Sequence, residues 1–188
     1  MQLTIIALAA ALALQEEPPR DERAAIDKPV RDFRLVDLMA DTETHVTLSQ
    51  FKDKKAVVLL FISYQCPVTW KYEKRFGKLL EDYKEKDVVF LGVRSNARDT
   101  ADATRKYCEA RNLDVPVLFD EGNVVADYFA IAYTPKFVVI DSKGVMRYSG
   151  VCDDNPDEKA VKKHYVRAAL DAVLVGREVA EKKAEGSG

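Results

Sequence analysis

The chain has 188 residues, and its 8 glycines and 7 prolines are too few for a fibrous or disordered protein, which leaves one globular domain with short extensions. Its 29 basic and 31 acidic residues leave a net charge of -2, so there is no electrostatic footprint for a nucleic-acid partner. Three cysteines are too few for a disulfide scaffold, and their odd count leaves at least one thiol over from any internal pairing.

Residues 1–15 (MQLTIIALAAALALQ) carry no charged side chain. The apolar run over 3–14 is too short to span a bilayer, which takes about 20 residues. Ala11-Leu12-Ala13 offers small residues at a cleavage site. The segment reads as a signal peptide, although no Lys or Arg precedes the run; an N-terminal helix or an uncleaved anchor is the alternative. The expectation is an exported protein, periplasmic or extracellular, with no other membrane attachment. Export places the thiols where disulfides persist. Residues 16–28, opening on EEPPRDER, read as a linker. Residues 29–176 form the domain, and 177–188, ending in AEGSG, read as a flexible tail.

Within the domain, 32–38 (DFRLVDL) alternates as a strand and pairs with 45–48. Residues 56–62 (AVVLLFI) are a continuous apolar run, the signature of a central strand covered on both faces. Residues 67–84 follow at helical period, with Tyr72, Phe76, Leu79, Leu80 and Tyr83 on one stripe. A second buried strand falls at 88–93, a helix at 100–111, a short strand at 115–119 and a short helix at 123–129. Strands at 137–141 and 145–149 flank the turn Ser142-Lys143-Gly144. Asn155-Pro156-Asp157-Glu158 has the chemistry of a helix start, and the predicted helix runs to about 175 and stops at Gly176. This order predicts an α/β/α sandwich on a mixed sheet, parallel in its first half by right-handed crossovers and closed by an antiparallel hairpin.

Cys66 lies between the buried strand ending near Ser63 and the helix that Pro67 begins. There its sulfur faces unpaired backbone N–H groups and the positive end of the helix dipole, which lower a thiol pKa and favour the nucleophilic thiolate. Thr69 is positioned to donate its hydroxyl to that sulfur. The alternative is an ordinary buried cysteine. A second signal is Tyr133-Thr134-Pro135-Lys136 ahead of the strand at 137, because a proline entering a sheet cannot donate a ladder bond.

The cysteine at a strand-to-helix switch, followed by a proline-bearing loop before a later strand, resembles the thioredoxin-like superfamily. Val30-Arg31-Asp32-Phe33, Leu48-Ser49-Gln50-Phe51, Cys66-Pro67-Val68-Thr69, the run from Thr134 to Asp141 and Tyr148-Ser149-Gly150 resemble, in order, a redoxin domain of the AhpC/TSA type. The resemblance covers roughly 29–175. It implies a thioredoxin-like three-layer fold, with Pro135 cis and packed against Cys66, and Thr134, Pro135 and Pro67 bordering the substrate.

Departures from the pattern shape the chemistry. Thr69 stands where thioredoxins carry a second cysteine, so the site is monothiol, and Leu60 replaces their buried acid. Of the peroxiredoxin elements, Ser63 matches the residue three before the cysteine. Leu59 replaces the proline seven before it, and the distant arginine falls at about Pro135. Cys108 and Cys152 are the candidate resolving thiols. Cys108 is expected as a small core residue on its helix, and Cys152 as an exposed residue after the last hairpin strand with acidic neighbours that disfavour its thiolate. A copper-carrier pattern needs CxxxC and a histidine; Trp70 occupies the second position, and the histidines are His45 and His164, so neither a metal site nor a cofactor is predicted.

The expected function is a thiol oxidoreductase in which Cys66 attacks disulfides of protein or small-molecule partners. The alternatives are an antioxidant thiol peroxidase that reduces hydroperoxides through a sulfenic acid, and a non-catalytic thioredoxin-fold binding module.

Overall fold

The computed structural model describes residues 23–186 except Asn112. The expected signal peptide, most of the expected linker and the last two residues lie outside this range. The described elements run β1 (Arg34–Asp37), β2 (Thr44–Thr47), β3 (Ala56–Ile62), α1 (Pro67–Tyr83), β4 (Val88–Arg94), α2 (Ala101–Ala110), β5 (Val117–Phe119), α3 (Val124–Tyr128), β6 (Lys136–Asp141), β7 (Met146–Gly150), α4 (Tyr165–Leu174) and β8 (Lys183–Ala184). They form one mixed sheet in the order β2-β1-β5-β4-β3-β6-β7-β8. β3, β4 and β5 are parallel, β6 and β7 form an antiparallel hairpin, and β1 pairs antiparallel with β2 and β5.

Every residue of β3 is buried, as a strand covered on both faces requires. Alternation sends Val58, Leu60 and Ile62 towards α1 and α4, where they meet Phe76, Leu79 and Leu170. Val57, Leu59 and Phe61 face the opposite layer with Val125, Ala126 and Phe129 around α3. Phe76 is 1% exposed and packs edge-on against Phe137 at 5.4 Å between ring centres. Burying such a ring contributes about 1.5–3 kcal/mol. On the α1 side a further cluster joins Tyr107 and Cys108 of α2 to Val117 of β5, with Leu80 packed against it. Helices therefore cover both faces, and the sheet's C-terminal edge at Ile62 and Arg94 opens onto the loop that carries Cys66.

Three expectations need correction. The predicted helix from Asn155 does not form: a 3-10 turn at Glu158–Ala160 precedes an extended stretch, and α4 begins at Tyr165. Arg75 of α1 takes the carbonyls of Asn155 (2.8 Å) and Pro156 (2.6 Å), which a helix there would need for its first bonds. Asp157 instead caps the short turn by accepting from the Lys159 amide at 3.0 Å.

The predicted tail is not loose through Gly186. Val179 is 4% exposed, and β8 adds a parallel edge strand to β7, pairing Ser149 with Lys183 and Gly150 with Ala184. A glycine is required at 150, because a Cβ there collides with the Ala184 backbone and comes within 2.6 Å of the Tyr148 hydroxyl.

The linker's last residues are also packed. Ala24 and Ile26 lie against the α3 side of the core, the Ala24 amide donates to the Tyr128 carbonyl at 2.8 Å, and the Asp27 amide donates to the Met146 carbonyl at 2.8 Å.

Candidate active site around Cys66

Cys66 is the N-cap of α1, with φ -85° and ψ 113°, and Pro67 opens the helix. Its amide donates to the Ser63 carbonyl at 3.2 Å, and its carbonyl accepts from the Trp70 amide at 3.4 Å. The sulfur is partly exposed and lies 3.1 Å from the Thr134 carbonyl, which accepts from the thiol. The Thr134–Pro135 peptide is cis, and Pro135 is buried.

Burial pushes the Cys66 thiol up, but it is outweighed: hydrogen bonding from the Thr134 side chain, from the Thr69 amide and hydroxyl and from the Val68 amide leaves the thiol below its ordinary value. The Thr134 carbonyl acts against these donors, since it accepts only from the protonated thiol. The amides of the first turn of α1 favour the charged sulfur and prevail over burial, which leaves the thiol pKa lowered. The first turn of α1 contains no acidic residue, which leaves its positive end open to the thiolate.

Thr69 is 1% exposed, and its hydroxyl has no conventional hydrogen-bond partner; the Cys66 sulfur is the group that it serves. Ser63 is also buried, but its hydroxyl is committed elsewhere. It donates to Asp99 at 3.1 Å and accepts from Asn96 at 2.9 Å and from the Gln65 amide at 3.2 Å. Asp99 and Asn96 were not legible as site residues, because a lone acid and amide in a polar loop before α2 carry no periodic signal.

The outer rim is apolar. Val68 is 43% exposed and Trp70 is 50% exposed, with the indole N–H donating to the Tyr64 carbonyl at 2.7 Å. Tyr64 turns inward and packs near Tyr107 at 6.4 Å. Cys66 lines neither of two cavities elsewhere in the fold: one of about 290 Å³ beside Val57 and Ile140, near the start of β3, and one of about 300 Å³ beside Arg75, Cys152 and His164. The sulfur is partly exposed beside the Val68 and Trp70 rim.

All three cysteines are free. Cys108 is fully buried within α2, and burial pushes its thiol up to about 11. The expectation of an exposed Cys152 is overturned: it is 8% exposed, and its thiol is pushed up to about 12, chiefly by burial and then by Asp153. The cause is the neighbouring residue. Asp153 turns inward to pair with Arg75 at 2.7 Å, which draws Cys152 into the core with Tyr72 and Phe76. Cys108 belongs to a different cluster. The two thiols are not gathered at the Cys66 surface. Among the described residues no group of three or more His, Cys, Asp or Glu side chains is arranged to hold a metal.

These thiol values predict selective labelling. At pH 8 the folded-state thiolate fractions of Cys108 and Cys152 are roughly 10⁻³ and 10⁻⁴. Brief alkylation of native protein is expected to modify Cys66 alone, and alkylation after denaturation all three, as read by peptide mass spectrometry. Comparable native labelling of Cys152 would contradict the packing described.

Comparison with known proteins places this site. A solved structure of a conserved protein from Geobacillus kaustophilus is 29% identical and superposes with a TM-score of 0.77 over 86% of this chain and 88% of its own. One from Sinorhizobium meliloti 1021 is 28% identical, with a TM-score of 0.76 over 87% and 93%. The thioredoxin domain of a thiol-disulfide oxidoreductase from Bacteroides vulgatus, 21% identical with a TM-score of 0.55 over 65% and 85%, shares the fold. Among sequence relatives, peroxiredoxin Q of Triticum aestivum chloroplasts is 28% identical over 55% of this chain and 49% of its own length. Thioredoxin-like protein YneN of Bacillus subtilis (strain 168) is 28% identical over 62% and 65%. The matched region is thus less than two thirds of either relative. The AhpC/TSA family model matches residues 26–149, a stretch that includes Cys66, Thr134 and Pro135. With a thioredoxin fold and that match across most of the domain, the chain belongs to the AhpC/TSA family of redoxins.

Proposed function

We propose that the protein is a monothiol thiol-disulfide oxidoreductase, exported by residues 1–15, with Cys66 as its nucleophile. The observation that carries this is the partly exposed sulfur at the N-terminus of α1, 3.1 Å from the Thr134 carbonyl beside the cis Thr134–Pro135 peptide. The Cys66 thiolate attacks one sulfur of a substrate disulfide. A Cys66–substrate disulfide forms, the substrate S–S bond breaks, and the second substrate sulfur leaves as a thiolate that takes a proton from water. An external thiolate then attacks the substrate sulfur of the mixed disulfide; a disulfide forms between those two, the Cys66–substrate bond breaks, and its electron pair stays on Cys66 as the thiolate. Thr69 has no sulfur with which to close the cycle locally, and burial disfavours Cys108 and Cys152 as attackers.

The open, apolar rim of Pro67, Val68 and Trp70 suits an extended peptide, with Thr134 and Pro135 lining its other side. Among the described residues no helix is long and apolar enough to cross a membrane. Export would place Cys66 in a compartment where substrate disulfides persist.

The test is to mix reduced protein with a peptide disulfide, quench with acid and map adducts by mass spectrometry. One peptide per chain, joined at Cys66 and stable until an external thiol is added, is the expected result. Rapid sulfenic acid formation at Cys66 with a hydroperoxide, with no peptide adduct, would replace this reading with a thiol peroxidase. Reaction with neither would leave a binding module.

A further inference from the structure

The Cys66 loop is held by an acid from another part of the chain. Asp99 stands two residues before α2 and is 1% exposed. Both oxygens of its carboxylate are spent on the loop: one accepts from the Ser63 hydroxyl at 3.1 Å, the other from the Tyr64 amide at 3.2 Å. Asp99 is itself fixed, since its amide donates to the Asn96 carbonyl at 2.9 Å.

The Ser63 hydroxyl is the junction. A hydroxyl has one proton and two acceptor sites. Here the Gln65 amide and the Asn96 side chain occupy the acceptor sites, at 3.2 and 2.9 Å. The single proton is left for Asp99. An acceptor-only group is therefore needed at 99, because it must receive from Ser63 and Tyr64 at once. An amide side chain offers one acceptor oxygen beside a nitrogen that only donates, so it cannot receive at both positions. The Ser63 carbonyl in turn receives the Cys66 amide at 3.2 Å. The Gln65 side chain adds a tie to the Arg98 carbonyl at 2.8 Å, beside Asp99. The backbone amides of 64–66 are thus referred, directly or through Ser63, to one carboxylate.

We infer that Asp99 is a positioning residue for the reactive thiol: its carboxylate sets the path of residues 63–66 that places the Cys66 sulfur at the N-terminus of α1, beside the Thr134 carbonyl. Burial raises the Asp99 pKa, against hydrogen bonds from Ser63 and Tyr64 and the positive charge of Arg94. Arg94 is 7% exposed and lies over the Phe119 ring at 4.3 Å, with no hydrogen-bond partner for its Nε. Its charge is free to favour the ionised form that the loop requires.

The assignment rests on Cys66 being the reactive thiol, and one experiment separates the two. The rate of Cys66 alkylation by iodoacetamide is followed across a pH series in full-length wild type, Asp99→Asn and Ser63→Ala, with thermal melts as folding controls. A wild-type curve at the position of an ordinary thiol would refute the proposed function. A displaced wild-type curve leaves that reading in place and lets the variants judge Asp99. In Asp99→Asn the curve is expected to move to higher pH, with the rate at neutral pH falling roughly tenfold, equivalent to about one pKa unit. Charge removal alone acts in the opposite direction: it leaves Arg94 unopposed and favours the thiolate. An unmoved or downward-shifted curve would therefore overturn the assignment. Ser63→Ala keeps both charges and breaks the same link. The same upward shift is expected there, and if Asp99→Asn does not fold, an unmoved Ser63→Ala curve overturns the inference by itself.

Discussion

Asp153→Ala is expected to destabilise the folded protein by about 3–5 kcal/mol in urea unfolding, the cost typical of leaving one buried charge without its partner. Arg75 is 8% exposed and Asp153 is 2% exposed. One guanidinium nitrogen donates to both carboxylate oxygens at 2.8 and 2.7 Å, and the cation lies over the Tyr72 ring at 3.7 Å. Removing Asp153 leaves that cation with the Asn155 and Pro156 carbonyls, which carry no compensating charge. Replacing both partners by apolar residues of similar size, as in Arg75→Met with Asp153→Leu, is expected to be far closer to wild type, because no charge is then stranded. A double substitution that lost as much as either single one would show that the pair's hydrogen bonds to 155–156, rather than its charges, carry the stability. The same link keeps Cys152 inside. In Asp153→Ala the native labelling of Cys152 is expected to rise, which ties the stability measurement to a chemical one.

That pair also explains what the sequence could not reveal. Asn155-Pro156-Asp157-Glu158 has every local preference for starting a helix, and the capping chemistry is used, but on a single 3-10 turn. The competitor is Arg75, which sits 80 residues earlier and looks like one of several charges on the outer face of a helix. A two-residue strand at Lys183–Ala184 has no periodicity to detect; it depends on the bare backbone of Gly150 and on Val179 finding the core. The elements that were legible are those with dense local signals. Residues 56–62 are apolar throughout because both faces are covered, and the Cys66-Pro67 step marks a helix start by the proline's missing N–H. The site divides along the same line. Cys66, Thr69 and Thr134 lie in patterned segments, whereas Asp99 acts through two hydrogen bonds across 35 and 36 residues, a relation that no local pattern records.

Thr69→Cys is expected to shorten the life of a substrate disulfide on Cys66 by roughly 10³-fold or more, since the attacking thiol becomes intramolecular with an effective concentration far above that of any external thiol. Residues 66 and 69 are three apart at the start of α1, and Cα atoms at that helical spacing fall within the range that a disulfide accepts. The Thr69 side chain is buried at the start of the helix that Cys66 caps, and it lowers the Cys66 thiol pKa, so a thiol in its place lies on the side of the bond it must break. The new thiolate attacks the Cys66 sulfur, a 66–69 disulfide forms, and the substrate leaves as a thiol carrying the electron pair of the broken bond. Burial at 1% exposure slows ionisation of the new thiol, but the first-turn amides act in the other direction. Acid-quenched mass spectrometry over time follows the adduct directly. An adduct that persists as in wild type, with a free thiol at 69, would mean that the helix start holds the two side chains apart. Thr69→Val is the matching control. It keeps the shape and removes the hydroxyl, so the adduct should form more slowly at neutral pH and last as long as in wild type, because Thr69 supports the thiolate and takes no part in resolution.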